Sequence, residues 1–160
     1  MTSQAIQEFR AFIPYIEGLR SLEESVWQQP IAPGKWSLKE LVCHLWNWDR
    51  FSIDVMVRGM AHGANLPAFV DIEEHNQKAI ELAKDFNNAS ELIDAFVRTR
   101  SELIEELSKK YDSRIRFTIG GFKRKYSMDS YIEIFTHHDE QHKAQIENKL
   151  SVNSVRSDHD

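Results

Sequence analysis

Apolar residues recur every three or four positions in five separate stretches of this chain. That spacing constrains it more than any other feature, because a helix gathers residues so spaced onto one face. The first stretch runs from Gln4 to about Trp27, with Ile6, Phe9, Phe12, Ile13, Ile16, Leu19 and Leu22 in register and Pro14 as the point of a kink or split. A loop with two prolines and a glycine follows, Gln29 to Trp36. Ser37 and Glu40 have the spacing of a capping box and open a second helix that reaches about Met60. Residues 61–70 (AHGANLPAFV) carry Gly63 and Pro67 and no cap, and are too long for a tight turn between helices. They read as a crossover connection. Asp71 to Phe86 forms a third, more polar helix. Asn88 or Ser90 caps a fourth, which carries Leu92, Phe96, Leu103 and Leu107 and ends at Lys109–Asp112.

Between Arg114 and Tyr126 the period changes. Ile115, Phe117 and Ile119 alternate with polar residues, and Gly120 and Gly121 supply a tight turn, which predicts a short β-hairpin. Two strands alone are marginally stable, so the hairpin must lean on the helices. Ser127 or Asp129 then caps a last long helix to about Leu150. The expected fold class is all-α: a four-helix bundle with a long crossover between its second and third helices and a short hairpin before the last. One of the five helical stretches is either appended to the bundle or part of a broken element. An α+β alternative rests on the hairpin alone. Residues 1–150 read as one domain, and the polar residues 151–160 as a flexible tail.

Charge and composition narrow the function classes. A net charge of −5 and a pI near 5.8 do not give the basic footprint of a nucleic-acid-binding protein. No stretch approaches the ~20 apolar residues of a membrane span, and the first residues lack a secretory pattern, so a cytoplasmic protein is expected. Cys43 is the single cysteine, which excludes an internal disulfide and a cysteine-built zinc site, and an inert buried thiol is expected there.

The seven histidines separate by position. On the last helix the apolar stripe reads Met128, Tyr131, Ile132, Phe135, His138, His142, Ile146, so His138 and His142 occupy core positions one turn apart. Two imidazoles at that spacing can reach a common metal ion. His137 lies about 100° round the helix and does not join them. On the second helix His44 sits three after Leu41 and four before Trp48, and also faces inward. If the two helices are neighbours, three neutral imidazoles would hold a divalent ion with a coordination position left open, as in catalytic zinc sites. The alternative is a set of hydrogen-bonded core histidines. Unperturbed imidazoles would give up such an ion as pH falls through ~6 to 5. Asp49 is read either as a partner to an imidazole N–H or as a surface ion pair with Arg50 or Lys39. Asp139 and Glu140 are expected to point outward. Trp46 and Trp48 read as packing, the basic cluster Lys123–Lys125 with Arg114 and Arg116 as a solvated hairpin face, and His62, His75 and His159 as ordinary polar residues.

Two motifs carry a family resemblance. The segment GKWSLKELVCHL, residues 34–45, followed by Trp48 and Asp49, resembles the second-helix signature of the DinB-like (DinB/YfiT) superfamily. The segment HDEQHKAQI, residues 138–146, resembles its last-helix signature. The resemblance spans about residues 4 to 150 and implies a four-helix bundle with a long second-to-third crossover. It implies a divalent metal, zinc or nickel, on His44, His138 and His142, and a homodimer, to which an aromatic content of 11% adds. It also implies a metal-dependent transferase acting on a small molecule, using a low-molecular-weight thiol. A metal-dependent hydrolase, and a stress or binding protein with a structural metal, are the alternatives. No motif singles out one of these.

Overall fold

Local chemistry sets the helix boundaries. In this computed structural model, which describes the backbone of residues 3–158 and the side chains of residues 3–152, Ser3 accepts a hydrogen bond from the Ile6 N–H and starts α1 (Gln4–Arg10). Ala11 then separates α1 from α2 (Phe12–Gly18). The cause is Pro14, which lacks the N–H that would bond Arg10 and whose ring crowds that carbonyl. After a tight turn at Leu19–Ser21 comes the single-turn α3 (Glu24–Trp27), so the first predicted helix is three pieces.

Ser37 and Glu40 form the reciprocal box expected of them. The Ser37 hydroxyl accepts from the Glu40 N–H at 3.1 Å, and the Glu40 carboxylate accepts from the Ser37 N–H at 2.9 Å. The box opens α4 (Leu38–Phe51), whose path continues through a wide turn at Ser52–Met56 and a tight one at Val57–Gly59. Asp71 caps α5 (Ile72–Ala83) and Asn88 caps α6 (Ala89–Lys110) through their side-chain oxygens. Ser127 accepts from the Ser130 N–H at the start of α7 (Met128–Asp158), which runs past the end expected near Leu150. The tail predicted over 151–160 lies for the most part outside the residues whose side chains are described, and His159 lies outside the described residues altogether.

The chain is all-α in its framework, a four-helix bundle. The split first helix packs on α6 and α7, α4 packs on α6 and meets α7, and α5 lies along the far side of α4. The first element is thus broken and α5 is appended. Two apolar groups fill the interior. One includes Ile6, Phe9, Trp48, Leu103 and Tyr131. The other includes Ile16, Trp27, Leu41, Phe96 and Ile146. Among the described residues, no helix is long and apolar enough to cross a membrane.

The 114–126 segment does more than fold back on itself. Phe117 and Tyr126 exchange both backbone hydrogen bonds, an antiparallel pair about the Gly120–Gly121 turn. In addition β1 (Asn65–Leu66), from the crossover, runs parallel to β2 (Thr118–Ile119). The Asn65 side-chain oxygen accepts from the Thr118 hydroxyl and from the Gly121 N–H, both at 2.9 Å. Gly120 has φ +64°, and a Cβ there would come within 3.0 Å of Ala68, so glycine suits both the turn and the close approach. Alternation within 114–126 revealed the turn. The parallel partner, far away in sequence and only two residues long, left no periodic trace.

Candidate metal centre

α4 and α7 present their apolar stripes to one another, and the histidines in those stripes meet. His44 Nε2 lies 3.1 Å from His138 Nε2, and His142 Nε2 lies 3.0 Å from the same atom. Three nitrogens crowded this way cannot all be satisfied by one another. A single Nε2 carries either a hydrogen or a lone pair, so His138 can complete a good bond with one neighbour and not with both. Three lone pairs directed at a shared cation resolve the conflict. Two zinc–imidazole bonds of ~2.0–2.1 Å at a tetrahedral angle put their nitrogens about 3.3 Å apart, close to the spacing here. The three residues thus form a cluster able to hold a metal ion.

The surroundings suit neutral ligands. His142 Nδ1 faces the Gln145 side-chain oxygen at 2.8 Å, so Nδ1 carries the hydrogen and Nε2 keeps its lone pair for the cluster. Burial, and then the neighbouring His138 and His142 rings, lower the His44 pKa to about 3, with the Asn76 amide acting weakly the other way. Burial and the His142 ring lower that of His138 to about 4. Burial lowers that of His142 too, against the Gln145 bond. The Trp36 ring packs on His44 at 4.9 Å and closes one side of the cluster. His44 Nδ1 is buried without a hydrogen-bond partner among the described residues.

His137 stays apart, exposed and 3.8 Å from the Glu140 carboxylate. His62 accepts the Arg116 N–H through Nδ1. His75 is less bland than expected. It packs on the Trp48 ring at 4.3 Å, and its Nε2 donates to the Asn47 carbonyl. Cys43 is buried, and burial pushes its thiol up to about 12, an inert state at neutral pH.

Two carboxylates depart from expectation. Asp49 is neither on the surface nor bonded to an imidazole. Its two oxygens accept from Arg100 Nε at 2.7 Å and Nη2 at 3.1 Å. The surface partners proposed for it are engaged elsewhere, with Arg50 over the Trp46 ring and Lys39 donating to the Phe86 carbonyl. Asp139, expected to point outward, is buried and holds the other side of the same guanidinium at 2.8 and 3.2 Å. The Phe9 carbonyl takes the remaining Arg100 hydrogen at 3.2 Å. Arg100 therefore ties α1, α4, α6 and α7 together at the centre of the bundle, over the Phe9 and Phe96 rings. Burial outweighs the pairing and leaves both carboxyls above the usual carboxylate range. The sequence held the signal. Arg100 falls four after Phe96 and three before Leu103, Asp49 four after Leu45, and Asp139 four after Phe135, so opposite charges stand on three apolar stripes.

The sequence model of the DinB superfamily matches residues 6–146. No curated protein matches the chain. Among solved structures it is similar in fold to YfiT from Bacillus subtilis, described as a probable metal-dependent hydrolase with an unusual four-helix bundle topology. The TM-score is 0.67 at 15% identity, over 96% of this chain and 91% of that one. With most of its length covered by the superfamily's model, its fold in agreement, and its three inward histidines in one cluster, the chain belongs to the DinB superfamily.

Proposed function

We propose that this chain is a metal-dependent enzyme acting on a small molecule, with His44, His138 and His142 as ligands to a divalent ion, zinc or nickel. The convergence of three Nε2 atoms within hydrogen-bonding range of a shared point carries the reading. Three protein ligands leave coordination room for a substrate or water, the hallmark of catalytic sites. A divalent ion bound there would lower the pKa of a thiol or water placed on it.

The chain's own residues favour thiol transfer. Hydrolysis calls for a general base beside the nucleophile. The nearest candidates by sequence, Asp49 and Asp139, are both committed to Arg100. A low-molecular-weight thiol would lose its proton to solvent once on the ion, so no protein base is called for. Its sulfur would then bond to an electrophilic carbon as that carbon's bond to a leaving group breaks, the leaving group departing with the electron pair. The part left to the protein is to hold three imidazoles neutral and fixed, which burial and the Gln145 bond do. Hydrolysis is the second reading, favoured by the description of YfiT. In either case the protein is proposed to act in the cytoplasm as a homodimer.

Metal analysis of the purified protein, followed by turnover assays with thiol-plus-electrophile pairs and with ester and amide substrates, tests the reading. Metal-dependent consumption of thiol supports transfer. Metal-dependent hydrolysis without thiol supports the second reading, and a metal-free protein as purified that takes up no added zinc or nickel refutes both. Light scattering that returns the mass of one chain refutes the dimer.

A further inference from the structure

The tri-histidine cluster opens on one side into a cleft of about 400 Å³, between α4, α5, α7 and the crossover. Its apolar walls are Trp48, Phe69 and Phe135, with Ile72 and Ile134 at the mouth and His44 and His138 at the inner end, and Asn76, His137 and Gln141 are its remaining polar lining. No Asp, Glu, Lys or Arg lines it. The indole N–H of Trp48 is already donated to the Asn76 side-chain oxygen at 3.1 Å, so two of the polar groups in the lining satisfy each other. The wall is held from behind by His75, so the cleft is formed in advance of any ligand.

Its mouth is unusual for a protein surface. Ile72 is 61% and Ile134 39% exposed, among the few large apolar side chains left in water. Exposed apolar groups gathered at the lip of a cleft mark a place where something apolar is received. The opposite side of the cluster differs. There a cleft of about 500 Å³ beside His142 has a mixed lining, with Ile31, Trp36 and Leu41 on its apolar side and Lys35, Gln145 and Asn148 on its polar side. The two clefts thus differ in charge: the one beside His142 carries a lysine, and the one at the His44–His138 edge carries none.

We propose that the apolar cleft is the substrate seat: it takes an uncharged aryl or branched-hydrocarbon body and leaves the reactive polar end at the His44–His138 edge. The substrate class is a neutral, largely apolar small molecule, and a body carrying an anionic group is rejected. Burying an anion against Phe69, Phe135 and Ile134 with no lysine or arginine to pair it is costly, whereas a ring gains contact with Trp48 and covers both isoleucines. This rests on the metal-dependent reading, because it is the cluster that would make the seat reactive.

The test uses naphthalene-2-carboxamide and its charged counterpart naphthalene-2-sulfonate as probes of the full chain, titrated calorimetrically with zinc-loaded and chelator-treated protein. The carboxamide is expected to bind both forms, and the sulfonate to bind the chelator-treated form at least about tenfold more weakly. Ile134→Glu, which places a carboxylate at the mouth, is expected to weaken the carboxamide by at least about tenfold while the zinc content per chain matches wild type. Lys35→Glu, in the other cleft, is expected to leave carboxamide binding unchanged. Equal affinity for the two probes in the chelator-treated form, or loss on Lys35→Glu and not on Ile134→Glu, overturns the proposal. So does a wild-type dimer that binds no probe and that Ile134→Glu splits into single chains, since a second copy then covers the mouth. Zinc content is measured in the same samples, so failure of the metal reading is seen separately from failure of the cleft.

Discussion

Replacing Arg100 with methionine removes the group that holds four helices at one point. All five guanidinium hydrogens are used, four on carboxylate oxygens of Asp49 and Asp139 and one on the Phe9 carbonyl. The variant leaves two carboxylates buried without a cation. Removing one partner of a buried ion pair costs about 3–5 kcal/mol. An upper limit comes from protonation. A carboxyl with an ordinary pKa of 3.8 can be neutralised at pH 7 for about 4.4 kcal/mol, at 1.36 kcal/mol per unit. Protonation therefore caps the charge part of the cost of each orphaned carboxyl, a cap that falls with pH, and the lost hydrogen bonds add to it. The expected loss for Arg100→Met at pH 7 is about 3–5 kcal/mol or more, a large part of a typical domain's total stability. Denaturant titrations of wild type and variant at pH 7 and pH 5 measure it, and taking the difference at each pH cancels the effect of other groups. The difference should shrink on going to pH 5 by less than about 2.7 kcal/mol per carboxyl, because the raised carboxyls of the wild type also take up protons in that window. Adding Asp49→Leu and Asp139→Leu should restore most of the stability, because an all-apolar replacement leaves no buried charge. A loss below about 1 kcal/mol at pH 7, or one that does not shrink on acidification, would show that the triad is not a buried charge network of this kind.

Other outcomes follow from the same geometry. His44→Ala, His138→Ala and His142→Ala should each strip the metal while His137→Ala keeps it; elemental analysis of the four proteins decides, and full retention in one of the first three removes that residue from the ligand set. Gln145→Leu should cost about 10–100-fold in zinc affinity by freeing the His142 ring, read by competition with a chelator, and an unchanged affinity would show the bond to be incidental. Because the folded pKa values of His44 and His138 lie near 3 and 4, protons compete with metal well below the pH of ~6 to 5 inferred for unperturbed imidazoles. Zinc affinity should fall less steeply between pH 7 and 5 than for three unperturbed imidazoles, since all three are lowered by burial; a loss as steep as that of three free imidazoles would contradict burial of the cluster. In the metal-free protein the same lowered values mean that the unfolded chain binds more protons. The stability these histidines contribute is complete above their unfolded pKa near 6.5 and is lost as pH falls from there through 4 to about 3, which melting curves at stepped pH will show.

The candidate site was legible because its signal is local. His138 and His142 sit one turn apart on a stripe, and His44 takes a core place on another, so helical period alone pointed all three inward. That the stripes face each other depends on packing, and there the two signature motifs supplied what periodicity lacked. Arg100 was passed over although it stands on the stripe of α6 between Phe96 and Leu103. A charged residue in an apolar register reads as a flaw until its partners are known, and these lie on α4 and α7. Asp139 differs from expectation for a related reason: the helix buries a second face, on which Asp139 lies four after Phe135, beside the stripe that carries His138 and His142. The clefts depend on α5 lying along α4 and on Phe69 reaching in from the crossover, relations between distant segments that no window of sequence contains.

The parallel ladder between the crossover and the segment before α7 has a consequence for the order in which this chain folds. Asn65 meets Thr118 across 53 positions, and α5 and α6 both lie between them. A ladder two residues long gains too little to close a loop of that length unaided. It can form only once the intervening helices have docked and brought its edges together. Its hydrogen bonds are therefore late arrivals on the folding route, formed after the local turn at Gly120 and after the helices they depend on.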